Sequence, residues 1–125
     1  MIKVLIMATN DEEMVAVENM FKNQEDFKIV GKVKGGQNGI QMAERLKPDL
    51  IISNVFKDTV DEDGFITALR YSSENCKIIL RIPYNIPSAV SFAMNVGVDY
   101  IMQKNTEQGM FINHCQFLFY DKIDL

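Results

Sequence analysis

Short apolar runs alternate with longer amphipathic stretches along the whole chain, and this alternation constrains the fold more than any other feature. The runs predicted to be buried strands are Ile2–Met7, Phe27–Val33, Leu50–Val55, Lys77–Ile82 and Val98–Gln103. Each run precedes a stretch with apolar residues three and four positions apart, the spacing of a helix. These stretches lie near residues 11–23, 37–46, 65–71, 89–96 and 106–120. The pattern predicts a doubly wound α/β domain with a parallel sheet covered on both faces.

Length and composition narrow the class of protein further. A chain of 125 residues, 47% apolar and 24% charged, is predicted to form a single globular domain over residues 1–125. Its net charge of −4 argues against nucleic-acid binding by the domain alone. The chain has two cysteines, Cys76 and Cys115, and they are not closely spaced in the sequence, which excludes a disulfide framework and a cysteine-rich zinc site. The apolar runs are too short to span a membrane, and a strand-like run stands where a signal peptide would, so a cytoplasmic location is expected.

The predicted topology also indicates where a functional site would lie. Ligands of parallel α/β sheets bind beyond the carboxyl ends of the strands. The segments in question are residues 8–11, 54–58, 82–85 and 104–105. Asn10 and Asp11 in the first segment also suit the start of the first helix, Asn10 as a cap and Asp11 at the positive end of the helix dipole.

Several motifs in these segments resemble those of bacterial response-regulator receiver domains. KVLIM at Lys3–Met7 resembles the first strand of that family, and KPDLIISNV at Lys47–Val55 resembles the stretch with its phosphoacceptor. Asp63-Gly64 and the stretch Gly97–Lys104 resemble two later motifs in the same order. The resemblance covers nearly the whole chain. It implies a flavodoxin-like (βα)5 fold with the strand order 2-1-3-4-5.

The family transfers a phosphoryl group from a histidine kinase to an aspartate at the end of the third strand. That chemistry needs Mg²⁺ held by carboxylates, a hydroxyl after the fourth strand and a lysine after the fifth. The resemblance places the phosphoacceptor at Asn54 and the acidic pair at Ala8 and Thr9. It places the hydroxyl at Ile82, or at Arg81 if the alignment shifts by one residue. The lysine, Lys104, is the one group retained.

These departures predict a degenerate pseudo-receiver that binds no metal and no cofactor, is not an enzyme, and is not switched by phosphorylation. With the acidic residues gone, like-charge repulsion in the cleft is relieved, so one conformation should be held without an ion. A shift of two residues would offer Asn10 and Asp11 as substitutes for the acidic pair. Lys104 is predicted to hold an anion, or the amide oxygen of Asn54, or to bind carbonyl groups at the strand ends.

Two alternatives use the same cleft differently. An unconventional phosphoacceptor would be Asp58, or Asn54 after deamidation to aspartate. A small ligand could instead bind in the emptied cleft around Lys104.

Two other groups of residues are weighed and set aside. The acidic loop containing Asp58, with Asp61, Glu62 and Asp63, departs from the calcium-loop pattern and is predicted to be solvated. His114 and Cys115 are adjacent on a predicted helix and point in different directions, which argues against a nucleophile–base pair.

The last predicted helix has more apolar residues than one core-facing stripe requires. Phe117 and Tyr120 lie away from that stripe, and Phe92 occupies a position on the fourth helix that is usually polar in receivers. The aromatic switch position of the family maps to Ile101, with Tyr100 beside it. Exposed aromatic residues suggest an interface through helices four and five, either in a homodimer or with another regulator. The sequence thus predicts a signalling module that works through a protein partner, in a two-component or derived pathway, and includes the possibility of a longer transcription regulator.

Overall fold

The computed structural model describes residues 1–54, 64–83 and 87–120, without the side chains of Gln37, Phe65 and Ala89. Strands and helices alternate strictly along the described chain. The strands are β1 (Ile2–Ala8), β2 (Phe27–Lys34), β3 (Leu50–Ser53), β4 (Lys77–Ile82) and β5 (Tyr100–Gln103). The helices are α1 (Asp11–Met20), α2 (Gly36–Leu46), α3 (Phe65–Ser72), α4 (Pro87–Asn95) and α5 (Gln108–Leu118).

The five strands form one parallel sheet in the order β2-β1-β3-β4-β5, which confirms the predicted fold. The two sides of the sheet form separate cores, as strands with continuous apolar runs require. One core joins β1, β3, β4 and β5 to α1 and α5, with the fully buried Phe111 of α5 at its centre. The other packs against α2, α3 and α4. No helix in the described residues has the length and hydropathy needed to cross a bilayer.

The ends of the helices follow from local capping. The side chain of Asn10 accepts a hydrogen bond of 2.9 Å from the backbone N–H of Glu13, so the predicted cap of α1 is confirmed. Gly97 has a φ of +102° after α4, a left-handed conformation that is common just past the end of a helix. At the start of α5 the carboxylate of Glu107 accepts from the backbone of Met110 at 2.8 Å. The first turn of α1 follows β1 directly and so lies beside the carboxyl edge of the sheet, whereas Gln108 at the start of α5 donates to the carbonyls of Asn19 and Met20 in the last turn of α1.

Several predicted boundaries were wrong by two or three residues, and two of them have a clear local cause. The strand predicted from Val98 begins at Tyr100, because the backbone N–H of Val98 is still bonded to Ala93 of α4 at 3.1 Å. The helix predicted to reach residue 23 ends at Met20. Asn23 has a φ of +64°, which a helix cannot include. Neither difference moves a residue of the predicted cleft.

Candidate functional site

The predicted cleft residues do lie together at the carboxyl edge of the sheet. Ala8 is the last residue of β1 and is fully buried, while Thr9 follows it and is exposed. Asn54 follows β3 directly, and its backbone N–H donates to the carbonyl of Met7 at 2.8 Å. The backbone N–H of Lys104 donates to Ile82 at 2.9 Å in the same way. Backbone hydrogen bonds therefore hold Asn54 and Lys104 in place independently of their side chains.

The central contact of the cleft is an ion pair that the sequence analysis missed. The Nζ atom of Lys104 lies 2.8 Å from Oε2 of Glu13, a residue in the first turn of α1. Their side chains are 32% and 20% exposed respectively. Neither the amide oxygen of Asn54 nor a strand-end carbonyl is a partner of the Lys104 ammonium in the described contacts. The anion that Lys104 was predicted to hold is thus part of the same chain.

Two further side chains donate hydrogen bonds to the Glu13 carboxylate. The hydroxyl of Thr9 donates to Oε1, and Nδ2 of Asn10 lies 3.3 Å from the same oxygen. The side chain of Asn54 is buried at the end of β3 and also lowers the pKa of Glu13. Burial raises the pKa of Glu13, but hydrogen bonds from Lys104, Thr9 and Asn54 outweigh it and hold that pKa below its ordinary value. Glu13 is therefore ionised at neutral pH.

Arg81 places a second cation close to this carboxylate. Along β4 the side chains alternate, so Arg81 lies on the same face as Ile79, against α5. It is 3% exposed, its Nη2 donates to the carbonyl of Lys104 at 2.8 Å, and its guanidinium carbon lies 5.6 Å from the centre of the Phe111 ring. Burial lowers the pKa of Arg81, and the charge of Glu13 partly offsets that effect. Arg81 cannot act as the missing hydroxyl; Ile82, at that position, is buried and apolar.

Within the described part of the chain, three buried polar atoms near this cluster have no hydrogen-bond partner: Oδ1 of Asn54 and the Nε and Nη1 atoms of Arg81. Most buried polar groups in folded proteins are paired, so such atoms are informative. The described carboxyl edge is thus polar, charged and incompletely satisfied.

The cleft residues that the structure describes do not fit a magnesium ion. Mg²⁺ requires oxygen ligands, with at least one or two carboxylates. Ala8 has none, the Thr9 hydroxyl is bound to Glu13, and the Glu13 carboxylate is already held by Lys104. Asp11, the substitute considered above, is exposed and lies 3.2 Å from Lys34. Within the described ranges, no three metal-ligating side chains come together, and the loop with Asp58, Asp61, Glu62 and Asp63 lies outside those ranges.

The predicted switch and interface residues are divided between the two faces of the sheet. Ile101 is half-buried in the core with α2, α3 and α4, whereas Tyr100 faces α5 and stacks on His114 with ring centres 4.4 Å apart. The hydroxyl of Tyr100 lies 3.1 Å from Nε2 of His114. Phe117 and Tyr120 at the end of α5 are 76% and 65% exposed. The phenyl ring of Phe92 on α4 is partly buried.

The chain is similar in sequence to response regulators and in fold to receiver domains, among other proteins. No family model matches the chain. It is 29% identical over 105 residues to the response regulator protein VraR of Staphylococcus saprophyticus, covering 84% of this chain and 50% of that protein. The receiver domain of the putative response regulator NarL of Mycobacterium tuberculosis superposes with a TM-score of 0.81 at 14% identity, covering 94% of each chain. The isolated receiver domain of RcsB of Salmonella enterica, with a phosphomimetic, gives 0.82 at 16% identity, covering 98% of this chain and 91% of that one.

The relatives in sequence are response regulators, and these two structural neighbours are receiver domains, the class that the motifs resemble. Two-component signalling is the setting in which such domains work. The chain spans about half the length of the curated relatives it matches.

Proposed function

We propose that this domain is a pseudo-receiver, a phosphorylation-independent signalling module that acts through protein contacts in a two-component or derived pathway. The observation that supports this proposal most strongly is the state of the cleft. A buried amide, Asn54, stands at the acceptor position, and the carboxylate of Glu13 is paired with Lys104. The lysine that would contact a phosphoryl group is already neutralised from within the chain.

The chemistry of the acceptor supports the same conclusion. An aspartyl phosphate forms when a carboxylate oxygen attacks phosphorus, and a neutral amide has no comparable nucleophile. The reaction also depends on a divalent cation to neutralise developing charge. Ala8 and Thr9 supply no carboxylate for that cation. Nucleophile, metal ligands and hydroxyl cooperate on one phosphoryl group, so none keeps its role when the others are lost.

An NMR titration with Mg²⁺ followed by beryllofluoride, which mimics an aspartyl phosphate, tests this proposal. We expect no saturable change in the amide signals of residues 8–11, 54 and 104. The Asn54→Asp variant should also fail to respond, because Lys104 remains paired and the metal ligands remain absent. Saturable shifts at these residues in the native domain would overturn the proposal. Phosphate incorporated at Asp58 after incubation with acetyl phosphate, found by mass spectrometry, would support the unconventional acceptor instead.

The second part of the proposal concerns the surface that contacts a partner. We propose that Phe117 and Tyr120 of the α5 end, with Phe92 of α4, form an interface with a second copy or another regulator. Aromatic residues are enriched at such interfaces, and two of these three are largely exposed. The double variant Phe117→Ser/Tyr120→Ser should be monomeric at concentrations where the native domain dimerises, as judged by analytical ultracentrifugation.

Tyr71 on α3 offers a matched control for this experiment. Its side chain is 79% exposed but lies on a different helix, so Tyr71→Ser should leave self-association unchanged. The interface proposal would be contradicted if the native domain stays monomeric at high concentration and binds no regulator whose binding the double variant loses.

A cytoplasmic location and a place within a longer transcription regulator belong to the same proposal. An antibody against this domain that detects only a 14.3 kDa band in cells would exclude the longer form.

A further inference from the structure

The Glu13 carboxylate is bound by the donors that a small oxyanion would need. Lys104 supplies an ammonium at 2.8 Å, Thr9 a hydroxyl and Asn10 an amide. These donors come from the ends of β1 and β5 and from the start of α1, so they converge from separate parts of the chain. Charge-assisted hydrogen bonds of this kind are the strong ones. The site is built around a negative group, and Glu13 fills it.

Among the described residues, the positive charge near the cleft exceeds what one carboxylate can neutralise. Lys104 and the 97%-buried Arg81 bring two positive charges, against the single negative charge of Glu13. Two donor nitrogens of Arg81 have no partner within the described residues. Removing the Glu13 carboxylate would leave a partly exposed cation and a buried one without this counter-charge, which favours entry of another anion.

We propose that Glu13 is a resident oxyanion, an internal substitute for a phosphoryl group that keeps the cleft permanently liganded and closed to outside anions. This inference rests on the proposed phosphorylation-independent function, because a cleft that accepted phosphate would have to release Glu13 first. The self-supplied anion ties α1 to the segment after β5. It explains why Lys104 is retained after the phosphoacceptor, the metal ligands and the hydroxyl are gone.

Chemical rescue tests the proposal directly. In Glu13→Ala, inorganic phosphate and acetate should each bind saturably, with dissociation constants at least about tenfold lower than any value measured for the native domain. Amide NMR signals of Asn54 and Lys104 should move when Glu13 is removed and return toward their native positions when the anion is added. Isothermal calorimetry gives the stoichiometry, expected to be one anion per chain.

Two controls separate this effect from general loss of negative charge. Glu12→Ala removes an exposed acid from the same turn and should bind neither anion more tightly than the native domain. Glu13→Ala/Lys104→Met removes the ammonium and should lose the rescue. Glu13→Gln keeps the size of the side chain and should show weaker rescue than Glu13→Ala. Circular dichroism of every variant shows that each is folded.

The outcomes distinguish this inference from the proposal on which it rests. If Glu13→Ala binds neither phosphate nor acetate, or binds them equally well without Lys104, Glu13 is not a resident oxyanion, although the domain can still be phosphorylation-independent. If the native domain itself responds to Mg²⁺ and beryllofluoride, the proposed function fails first. Binding of phosphate by the native domain, as tightly as by Glu13→Ala, would show that the cleft is not closed.

Discussion

The two ends of the sheet each contain a half-buried ion pair, but they differ in how fully the neighbouring polar atoms are satisfied. At the amino end, Arg70 of α3 lies 3.2 Å from Asp99, and both side chains are less than one quarter exposed. At the carboxyl end, Lys104 lies 2.8 Å from Glu13. The distances alone would suggest two equivalent structural links between the helical layers and the sheet.

The hydrogen bonds around the two pairs show that they are not equivalent. Arg70 donates to four backbone carbonyls as well as to Asp99, which in turn accepts from the backbone of Ile78 at 2.8 Å. Around Glu13 and Lys104, in contrast, Asn54 and Arg81 keep buried atoms without partners. A satisfied network specifies structure, whereas an unsatisfied one is retained at a cost in stability. The difference points to the carboxyl end as the functional end.

Replacing Arg70 and Arg81 by methionine gives the strongest test of this comparison, and Arg70→Met should have the largest effect. It removes the guanidinium from Asp99 and from the carbonyls of Ser73 and Cys76, and the half-buried carboxylate keeps only the Ile78 N–H and the more distant Lys77 among the described contacts. We expect the free energy of unfolding to fall by about 3 kcal/mol. Urea denaturation followed by circular dichroism measures it. Arg45→Met, at an exposed position of α2, is the matched control and should change stability by less than about 0.5 kcal/mol.

The same substitution at the other end should act in the opposite direction. Arg81→Met replaces a buried, poorly paired cation by an apolar side chain of similar length, next to Phe111. We expect the free energy of unfolding to rise by about 1 to 2 kcal/mol, because a large desolvation penalty disappears. A loss as large as that of Arg70→Met would mean that Arg81 is a structural link and that the two ends are alike.

A double-mutant cycle on Glu13 and Lys104 addresses the smaller question of how strongly the cleft pair is coupled. Glu13→Gln and Lys104→Met should each lower the free energy of unfolding by about 1 kcal/mol, because the pair is partly exposed. The coupling energy should be about half to one kcal/mol. Additive effects would show that the 2.8 Å contact contributes nothing to stability and would weaken the resident-anion proposal.

The smallest effect expected is a pH dependence of that same coupling. The pKa of Glu13 is lower in the folded domain than its ordinary value of 4.5, so the unfolded chain binds the proton more tightly. The stabilisation is therefore complete above pH 4.5 and is lost as the pH falls through the folded-state pKa. The difference in unfolding midpoint between the native domain and Glu13→Gln should shrink over that range. A difference that grows on acidification would contradict the sign of the shift.

The fold could be predicted from the sequence because the strands are short apolar runs and the helices have apolar residues three and four positions apart. The cleft positions Ala8, Asn54, Ile82 and Lys104 followed from strand ends, which the main chain fixes. The interpretation of Phe117 and Tyr120 as exposed is also confirmed. All of these features depend on local pattern, or on motifs whose order along the chain is enough to place them.

Glu13 and Arg81 could not be assigned in the same way. Glu13 stands where any acidic residue would favour the helix dipole, so its contact with a residue 91 positions away has no local signature. The charge of Arg81 inside the run KIILRI was a usable signal, because a central strand of a covered sheet is normally apolar. Which partner that charge meets depends on the packing of α1 and α5 across the sheet, and only the assembled fold determines it.

The stacked rings of Tyr100 and His114 give this domain a spectroscopic label of its own. The chain has a single histidine and no tryptophan, so the imidazole gives one resolved set of ring-proton signals. Those protons lie in the ring current of Tyr100 as long as α5 is docked on β5. Any partner, anion or substitution that loosens α5 will change their chemical shift in a one-dimensional spectrum of unlabelled protein. The chemical shifts of the His114 ring protons therefore report whether a change in the cleft reaches α5, without a substitution in α5 itself.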